Sequence, residues 1–401
     1  MAGYVGMFNA QLNPQDFNKK SFAAMLVRYF PNGGAPLFAM SALFGTKTAL
    51  QYEHGYFSKT MIFPSITLGA AVADGVATTF TVVSTANVVP GMAFRAETTG
   101  EIVVIDSITS ATALEATRGV GNVAAGAIAN AGVLYQVGNA YEEGSVRPEA
   151  LSIIPTRTTN FTQIFRNSWQ LTGTAAATQV ITGDGNVAEN RQDCALFHSV
   201  DIEYALIFGQ KFQGTKNGKP FHTMDGLISR IAQDAPGNIA PAGATTNYTQ
   251  LEAMIDPLFD VATDPKTSNE RIAYVGGKAL IVINNIGRLN GTYNLVDGQT
   301  NYGLRFKTMT LSRGTIRLIE HPLLNTNPTW ARNMIVVEPS SFDLAYLGGR
   351  KTMSQEYGVT GTPVDNGIDA VGGTLTTEVT TEIKNPAANG YFTGFTAAAE
   401  G

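Results

Sequence analysis

Between Val187 and Gln213 the chain contains no proline and one glycine (Gly209), and Phe197, Val200, Tyr204, Ile207 and Phe208 recur at steps of three and four. That spacing is the signature of an amphipathic helix. Gly214 and Gly218-Lys219-Pro220 close the stretch, as helix stops do. Twenty-odd residues at about 1.5 Å each make a rod of roughly 40 Å. A rod of that length does not fit inside one small core, so the rest of the chain must be built along it.

The segments before and after the rod differ in texture. Asn13-Pro14 with Asp16 opens a short helical piece through Phe17, Phe22, Met25, Leu26 and Tyr29, which Pro31-Asn32-Gly33-Gly34 stops. Pro36–Phe44 is a second short apolar stretch ending at Gly45. Two such pieces form an arm that needs a surface to lie on. Thr46–Pro64 reads as extended, and Ser152–Thr172 is extended again, as though a long hairpin were interrupted at its tip.

The interruption, Ile66–Val137, holds only seven charged residues, and short β-like runs recur at Thr79–Val83, Met92–Glu97, Ile102–Ile108, Ala113–Thr117 and Val133–Val137. Regularly spaced short strands predict a small sandwich or barrel. At about 75 residues such a module is marginal alone, so it is expected to lean on neighbours.

Beyond the rod, residues 223–340 read as a compact α/β unit. Thr249-Gln250-Leu251-Glu252 is a capping-box pattern, and Pro257 should kink or shorten the helix it opens. Strands are predicted at Arg271–Val275, Leu304–Leu311, Thr315–Ile319, Met334–Val337 and Asp343–Tyr346, with a helix after Gly276-Gly277. Thr374–Lys384 alternates Leu375, Thr377, Val379, Thr381 and Ile383 with a polar face, and Asn389-Gly390 predicts a closing hairpin with Tyr391–Phe395.

Catalytic patterns are weak. Gly119-Val120-Gly121-Asn122-Val123-Ala124 fits a dinucleotide fingerprint, but Gly126, Asn130 and Gly132 break the helix that a pyrophosphate site needs, so it reads as a turn. His54, His198, His222 and His321 have no metal-ligand spacing. Cys194 and His198 share a helix face, and a buried structural cysteine is the default reading over a nucleophile. Glu189, Asp193, Asp201 and Glu203 read as a solvated helix face. No catalytic, cofactor-binding or metal residue is therefore assigned, and no cofactor is expected.

The composition points to assembly. Charged residues make up 15% of the 401, against a usual fraction near 25%, and the net charge is −5. With 27 basic and 32 acidic residues and no Lys/Arg run beyond Lys19-Lys20 and Arg350-Lys351, tight duplex binding is disfavoured. The uncharged stretches Gly75–Phe94 and Gly119–Tyr141 are too polar and broken to span a membrane. One cysteine implies no oxidising compartment, and Met1–Asn13 lacks the basic start of a signal peptide.

The order of parts resembles the major capsid proteins of tailed double-stranded DNA bacteriophages, with the HK97-like fold, in a subgroup whose extended loop carries a β insertion. The stretches carrying the resemblance are Pro36-Leu37-Phe38, Thr117-Arg118-Gly119-Val120-Gly121 and Gly138-Asn139-Ala140-Tyr141-Glu142-Glu143-Gly144-Ser145. Near the end, Ile335-Val336-Val337-Glu338-Pro339 and Leu344-Ala345-Tyr346-Leu347-Gly348-Gly349-Arg350 resemble the strand pair returning to the peripheral domain, and Thr374–Glu378 followed by Gly390–Phe395 resembles its terminal hairpin.

The resemblance implies an α+β chain divided into an N-terminal arm (1–45), an extended loop (46–65 and 138–172), an all-β insertion (66–137), a peripheral domain (173–222 and 341–401) with a spine helix at about 187–213, and an axial domain (223–340). It implies a non-enzymatic major capsid protein, made in the bacterial cytoplasm and located in the virion. Copies would form pentamers and hexamers of an icosahedral shell around DNA, touching neighbouring capsomers through arm, loop and insertion. Scaffold, portal and decoration proteins and weak contact with packaged DNA are further implied partners. No charged scaffolding region precedes Met1–Asn13, which implies a scaffold supplied separately or removed. In this family some loop lysines form isopeptide cross-links; Lys59 lies in the loop, with nothing local to mark it. Two alternatives remain: a tail-tube or other ring-forming β protein, which the long helix disfavours, and an enzyme with an accessory β module, which would need a carboxylate-lined pocket.

Overall fold

The computed structural model describes residues 45–59, 63–178, 185–264, 269–289, 296–301, 304–358 and 369–400. The expected arm, with Pro36-Leu37-Phe38, lies outside the described residues except for Gly45. Two units emerge, one made of residues 1–56 and 158–401 and the other of 57–157.

The spine helix spans Asn186–Phe208. It stops five residues before the predicted end, and the reason is steric. Gly209 caps it, its N–H bonding to the Ala205 carbonyl at 2.9 Å, and the Gly226 N–H bonds back to the Gly209 carbonyl at 3.0 Å. A Cβ on Gly226 would lie 2.6 Å from the Gly209 nitrogen, so the two backbones cross only because neither residue has a side chain. Between the crossings the chain makes a hairpin, Phe212–Lys216 with Lys219–Thr223, turned by Asn217-Gly218 at φ 53° and 72°. Positive φ at both central residues is what a two-residue hairpin turn demands, and Asn-Gly supplies it. The buried face of the helix is also displaced from the predicted stripe. It runs through Cys194, His198, Ile202 and Leu206, leaving Phe197 63% exposed.

Two sheets flank the helix. The five-stranded sheet orders Thr46–Ala49, Phe342–Leu347, Ala370–Ile383 and Gln163–Thr172, with Met353–Tyr357 also pairing the third. The seven-stranded sheet runs Ile239–Pro241, Gly390–Thr393, Met334–Val337, Glu270–Val275, Thr315–Glu320, Leu304–Thr310 and Val296–Asn301. Its strand Glu270–Val275 is buried at every position after the first, because both faces are covered. Ile272 and Tyr274 meet Ile202, Leu206, Leu227 and Ile231 on one face. Ala273 and Val275 meet Leu251, Ile255, Val282 and Ile283 on the other.

Three expectations are corrected here. The closing hairpin does not form. Ala370–Ile383 stays in the five-stranded sheet, and Gly390–Thr393 crosses to the seven-stranded one, between Met334–Val337 and Ile239–Pro241. A six-residue link containing Pro386 and a 3-10 turn at Pro386–Ala388 redirects the chain, so the seven-stranded sheet takes in part of 341–401. Met334–Val337 and Phe342–Leu347 likewise fall in different sheets rather than forming one strand pair. The helix Tyr248–Ile255 is capped two residues earlier than predicted, by an Asn247/Gln250 box, and Pro257 ends it by starting a 3-10 turn at Asp256–Phe259.

Unit 57–157 contains a six-stranded antiparallel sheet ordered Ser65–Thr67, Val133–Asn139, Met92–Ala96, Ile102–Ser110, Ala113–Thr117 and Thr79–Thr81. Its first and last strands also meet. Leu68 bridges Val82, Gly69 N–H reaches the Thr81 carbonyl and Val83 N–H the Thr67 carbonyl, both at 2.9 Å. The sheet therefore closes on itself as a barrel, filled by Phe80, Phe94, Val103, Ile105, Leu114 and their neighbours. Closure removes the open edges that would otherwise invite pairing.

Arg118 pins the barrel's end. Its guanidinium bonds Glu101 Oε1 at 2.6 Å and the carbonyls of Asp74 and Gly126, and lies 5.4 Å from the centroid of the Phe80 ring. Both side chains of the Arg118–Glu101 pair are almost fully buried. Arg118→Leu is expected to strand the Glu101 charge and cost about 3–5 kcal/mol, read as a lower melting temperature of the whole chain, with the far-ultraviolet β signal weakened first.

Candidate assembly surfaces and the buried polar seam

The strand Ala370–Ile383 is unusual for a central strand because threonine and glutamate occupy its buried positions. Thr377, Glu378, Thr380, Thr381 and Glu382 are all buried. Buried polar groups need partners, and these come from every neighbouring element. On the helix face, His198 sits between Asn167 Oδ1 and Thr377 Oγ1, 2.7 Å from each. A neutral ring donating from Nδ1 and accepting at Nε2 satisfies both contacts. Asn160 accepts the Asp225 N–H at 2.7 Å and donates to Thr381 Oγ1 at 2.8 Å, tying three segments together.

The opposite face carries a charge ladder. Lys47 Nζ lies 2.7 Å from Glu382 and 3.2 Å from Asp343, Lys384 lies 2.7 Å from Asp343, and Arg350 lies 3.0 Å from Glu378. Thr162 donates to Glu378 Oε1 at 2.7 Å, and His54 meets Glu382 at 3.2 Å. Burial lowers the Lys47 ammonium, but Glu382 and Asp343 more than offset this and hold it above the usual lysine value. Tyr56 donates to the Ile383 carbonyl, and burial pushes its phenol up to about 12.

A third junction joins the spine helix to the seven-stranded sheet. His321 Nε2 lies 2.8 Å from Glu203 Oε1, both side chains fully buried, with Tyr274 edge-on to the imidazole. Burial, reinforced by Glu203, drives the Tyr274 phenol well above its ordinary range. Glu203 is thus no part of the predicted solvated face, because at that turn the helix passes over the sheet.

The residues singled out for chemistry are placed as follows. Cys194 is buried, and burial raises its thiol, away from thiolate reactivity. The Gly119–Ala124 segment is irregular, with Gly119 and Gly121 at positive φ and no helix after it. Of the four histidines, His222 stacks on Tyr52 and the other three serve the seam and junction. Lys59 is exposed. Among the described residues no group of three or more His, Cys, Asp and Glu is placed to hold a metal, and no helix is long and apolar enough to cross a membrane. A groove of about 670 Å³ beside the helix Gly277–Leu289 is bordered by Lys278, Arg288 and Arg332 and has no carboxylate in its lining. Sequence reasoning missed the Arg118–Glu101 and His321–Glu203 pairs, whose members are far apart in the chain and have no local motif.

Outside the seam, large apolar side chains are left uncovered along the extended loop, among them Leu50, Phe57, Phe63, Val146 and Ile154. Apolar side chains of this size left in water favour burial against another surface. A family model described as SU10 major capsid protein matches residues 9–396. The major capsid protein of Pseudomonas phage PaMx41 is 38% identical over 413 aligned residues, covering 100% of this chain and 98% of that one. The chain belongs to the SU10 major capsid protein family. It is a phage major capsid protein, of α+β architecture.

Solved structures with similarity at low identity include the capsid of a native GTA particle (8% identical, TM-score 0.47, 97% of this chain and 98% of that one). Mycobacterium phage Cain is 9% identical, with TM-score 0.46 and 96% of each chain covered. The SrpI encapsulin of Synechococcus elongatus PCC 7942 is 10% identical, with TM-score 0.43, 62% of this chain and 80% of that one.

His198 gives the seam a pH dependence. Burial lowers its pKa and Asp201 opposes the shift only in part. The unfolded chain therefore takes up the proton first, and stability is lost as pH falls below about 6.5. Melting temperatures from pH 7 to 5 should decline, by no more than about 1.4 kcal/mol per pH unit from this group, and His198→Gln should flatten that slope.

Proposed function

We propose that copies of this chain assemble as pentamers and hexamers into an icosahedral shell around phage DNA, made in the bacterial cytoplasm, and that the chain performs no catalysis. The peripheral part is the spine helix with the five-stranded sheet, and the axial part is the seven-stranded sheet with its helices, including Gly390–Thr393. The arm, the extended loop and the barrel reach neighbouring capsomers, and scaffold, portal and decoration proteins complete the particle. Contact with DNA is weak and non-specific, in keeping with a net charge of −5.

One observation carries this reading. Residues 146–155 make no helix or strand, yet Val146 is 86% and Ile154 84% exposed. Ten residues without helix or strand, with apolar side chains this uncovered, gain little within their own chain. Laid on another copy, they contribute burial in a heterologous contact, the kind that closes into rings. Buried carboxylates engaged by internal partners, among them Glu378, Glu382 and Asp343, support a structural role over an enzymatic one.

Negative-stain imaging with mass by light scattering tests the proposal. Closed shells or five- and six-membered rings are expected, while tubes of uniform diameter would overturn it. Replacing residues 66–137 with a short Gly/Ser linker is expected to lower shell yield and thermal stability. Unchanged shells would remove the barrel from the set of capsomer contacts.

A further inference from the structure

The hairpin that interrupts the predicted rod has a feature its own fold does not need. Lys216 and Lys219 face each other directly across its tip. Like charges in that position destabilise a hairpin. Neither ammonium has a carboxylate partner: Lys216 lies over the Phe221 ring, 5.5 Å from its centroid, and no ion pair forms with Lys219 among the described residues. From Gly209 to Thr223 the sequence holds three lysines, one histidine and no carboxylate, within a chain of net charge −5. The strands are exposed along most of their length, and Phe212 and Phe221 present rings that are 56% and 37% exposed, tilted against each other at 6.4 Å. The hairpin is therefore a projecting surface, apolar in the middle and doubly positive at the end.

The complementary surface is elsewhere in the same sequence. Residues 142–154 carry Glu142, Glu143 and Glu149 against Arg147, and expose Val146, Leu151 and Ile154. All four charged side chains are exposed, and no salt bridge holds them among the described residues. Three glutamates less one arginine leave −2, opposite the +2 of the lysine pair.

We propose that the lysine-tipped hairpin Phe212–Thr223 is an assembly contact, and that its occupant is the acidic, apolar limb 142–154 of a second copy of this chain. The inference rests on the self-assembly reading above and adds the two surfaces that meet. Carboxylates of the limb would neutralise the tip while Val146, Leu151 and Ile154 cover the rings, so each surface corrects what is uncompensated in the other. Such complementarity sets register and partner choice more than raw affinity.

A charge-swap cycle on the full-length chain tests this. Lys216→Glu/Lys219→Glu is expected to raise the concentration for half-assembly about tenfold, as is Glu142→Lys/Glu143→Lys, and the four changes together should bring it back to within about threefold of wild type. Lys216→Gln/Lys219→Gln should give a smaller loss and a weaker dependence of assembly on salt. Unchanged melting of the unassembled variants shows that folding is intact, as exposed positions allow. The proposal is overturned if the lysine reversal assembles at the wild-type concentration, or if the fourfold variant assembles no better than the two doubles. It is equally overturned if the lysine variant forms normal shells that retain less DNA, which would assign the tip to nucleic acid. A wild-type chain that forms no shells removes the assembly reading itself, and this inference with it.

Discussion

The half of this protein built on the five-stranded sheet depends on keeping a polar strand dry. Ala370–Ile383 runs through the five-stranded sheet with threonine and glutamate at its buried positions, and each neighbouring element is fixed by the partner it supplies. The spine helix contributes His198, the first strand Lys47, the loop strands Asn160 and Thr162, and the turn after Phe342–Leu347 contributes Arg350. An apolar strand would tolerate small shifts of register. A hydrogen-bonded one does not, because a displaced partner leaves a buried group unsatisfied. Directionality of this kind gives a subunit one shape to present to its neighbours.

The half built on the seven-stranded sheet is held by different means. Its sheet is apolar on both faces, and two buried charges sit where the sheet meets other parts. Arg271 donates to the carbonyls of Leu258 and Val261, 2.6 and 3.1 Å away, while Glu338 takes the Thr263 N–H and hydroxyl, so the loop after Tyr248–Ile255 is fastened to the sheet at both ends. Burial lowers the Arg271 guanidinium, and Glu338 works against that shift. The His321–Glu203 contact then links this sheet to the spine helix. The two halves are joined through a handful of specific polar contacts as well as through Ile202, Leu206 and Ile207.

Much of this was legible from local pattern. Five of the six barrel strands could be placed to within a few residues, all but Ser65–Thr67, because turn residues separate runs of apolar alternation, and the long helix announced itself by its lack of proline. The misses share a cause. The helix end at Phe208 depends on Gly226 approaching Gly209, and the destination of Gly390–Thr393 depends on which sheet has room beside Met334–Val337. Both are decided by residues distant in sequence. The same holds for function: assembly surfaces are spread over loops and hairpins that are exposed in one copy, and no short motif marks them. Glu203 shows the limit clearly, since a carboxylate on a charged helix face looks identical in sequence whether water or His321 lies opposite.

The barrel's two ends carry a consequence for the chain on either side of it. Its opening strand Ser65–Thr67 pairs antiparallel with the strand that leaves it, Ser65 opposite Tyr135, so entry and exit lie about 5 Å apart. A tight turn would bridge the same gap, so a closed domain with adjoining ends can be removed or exchanged at that point without stretching either limb.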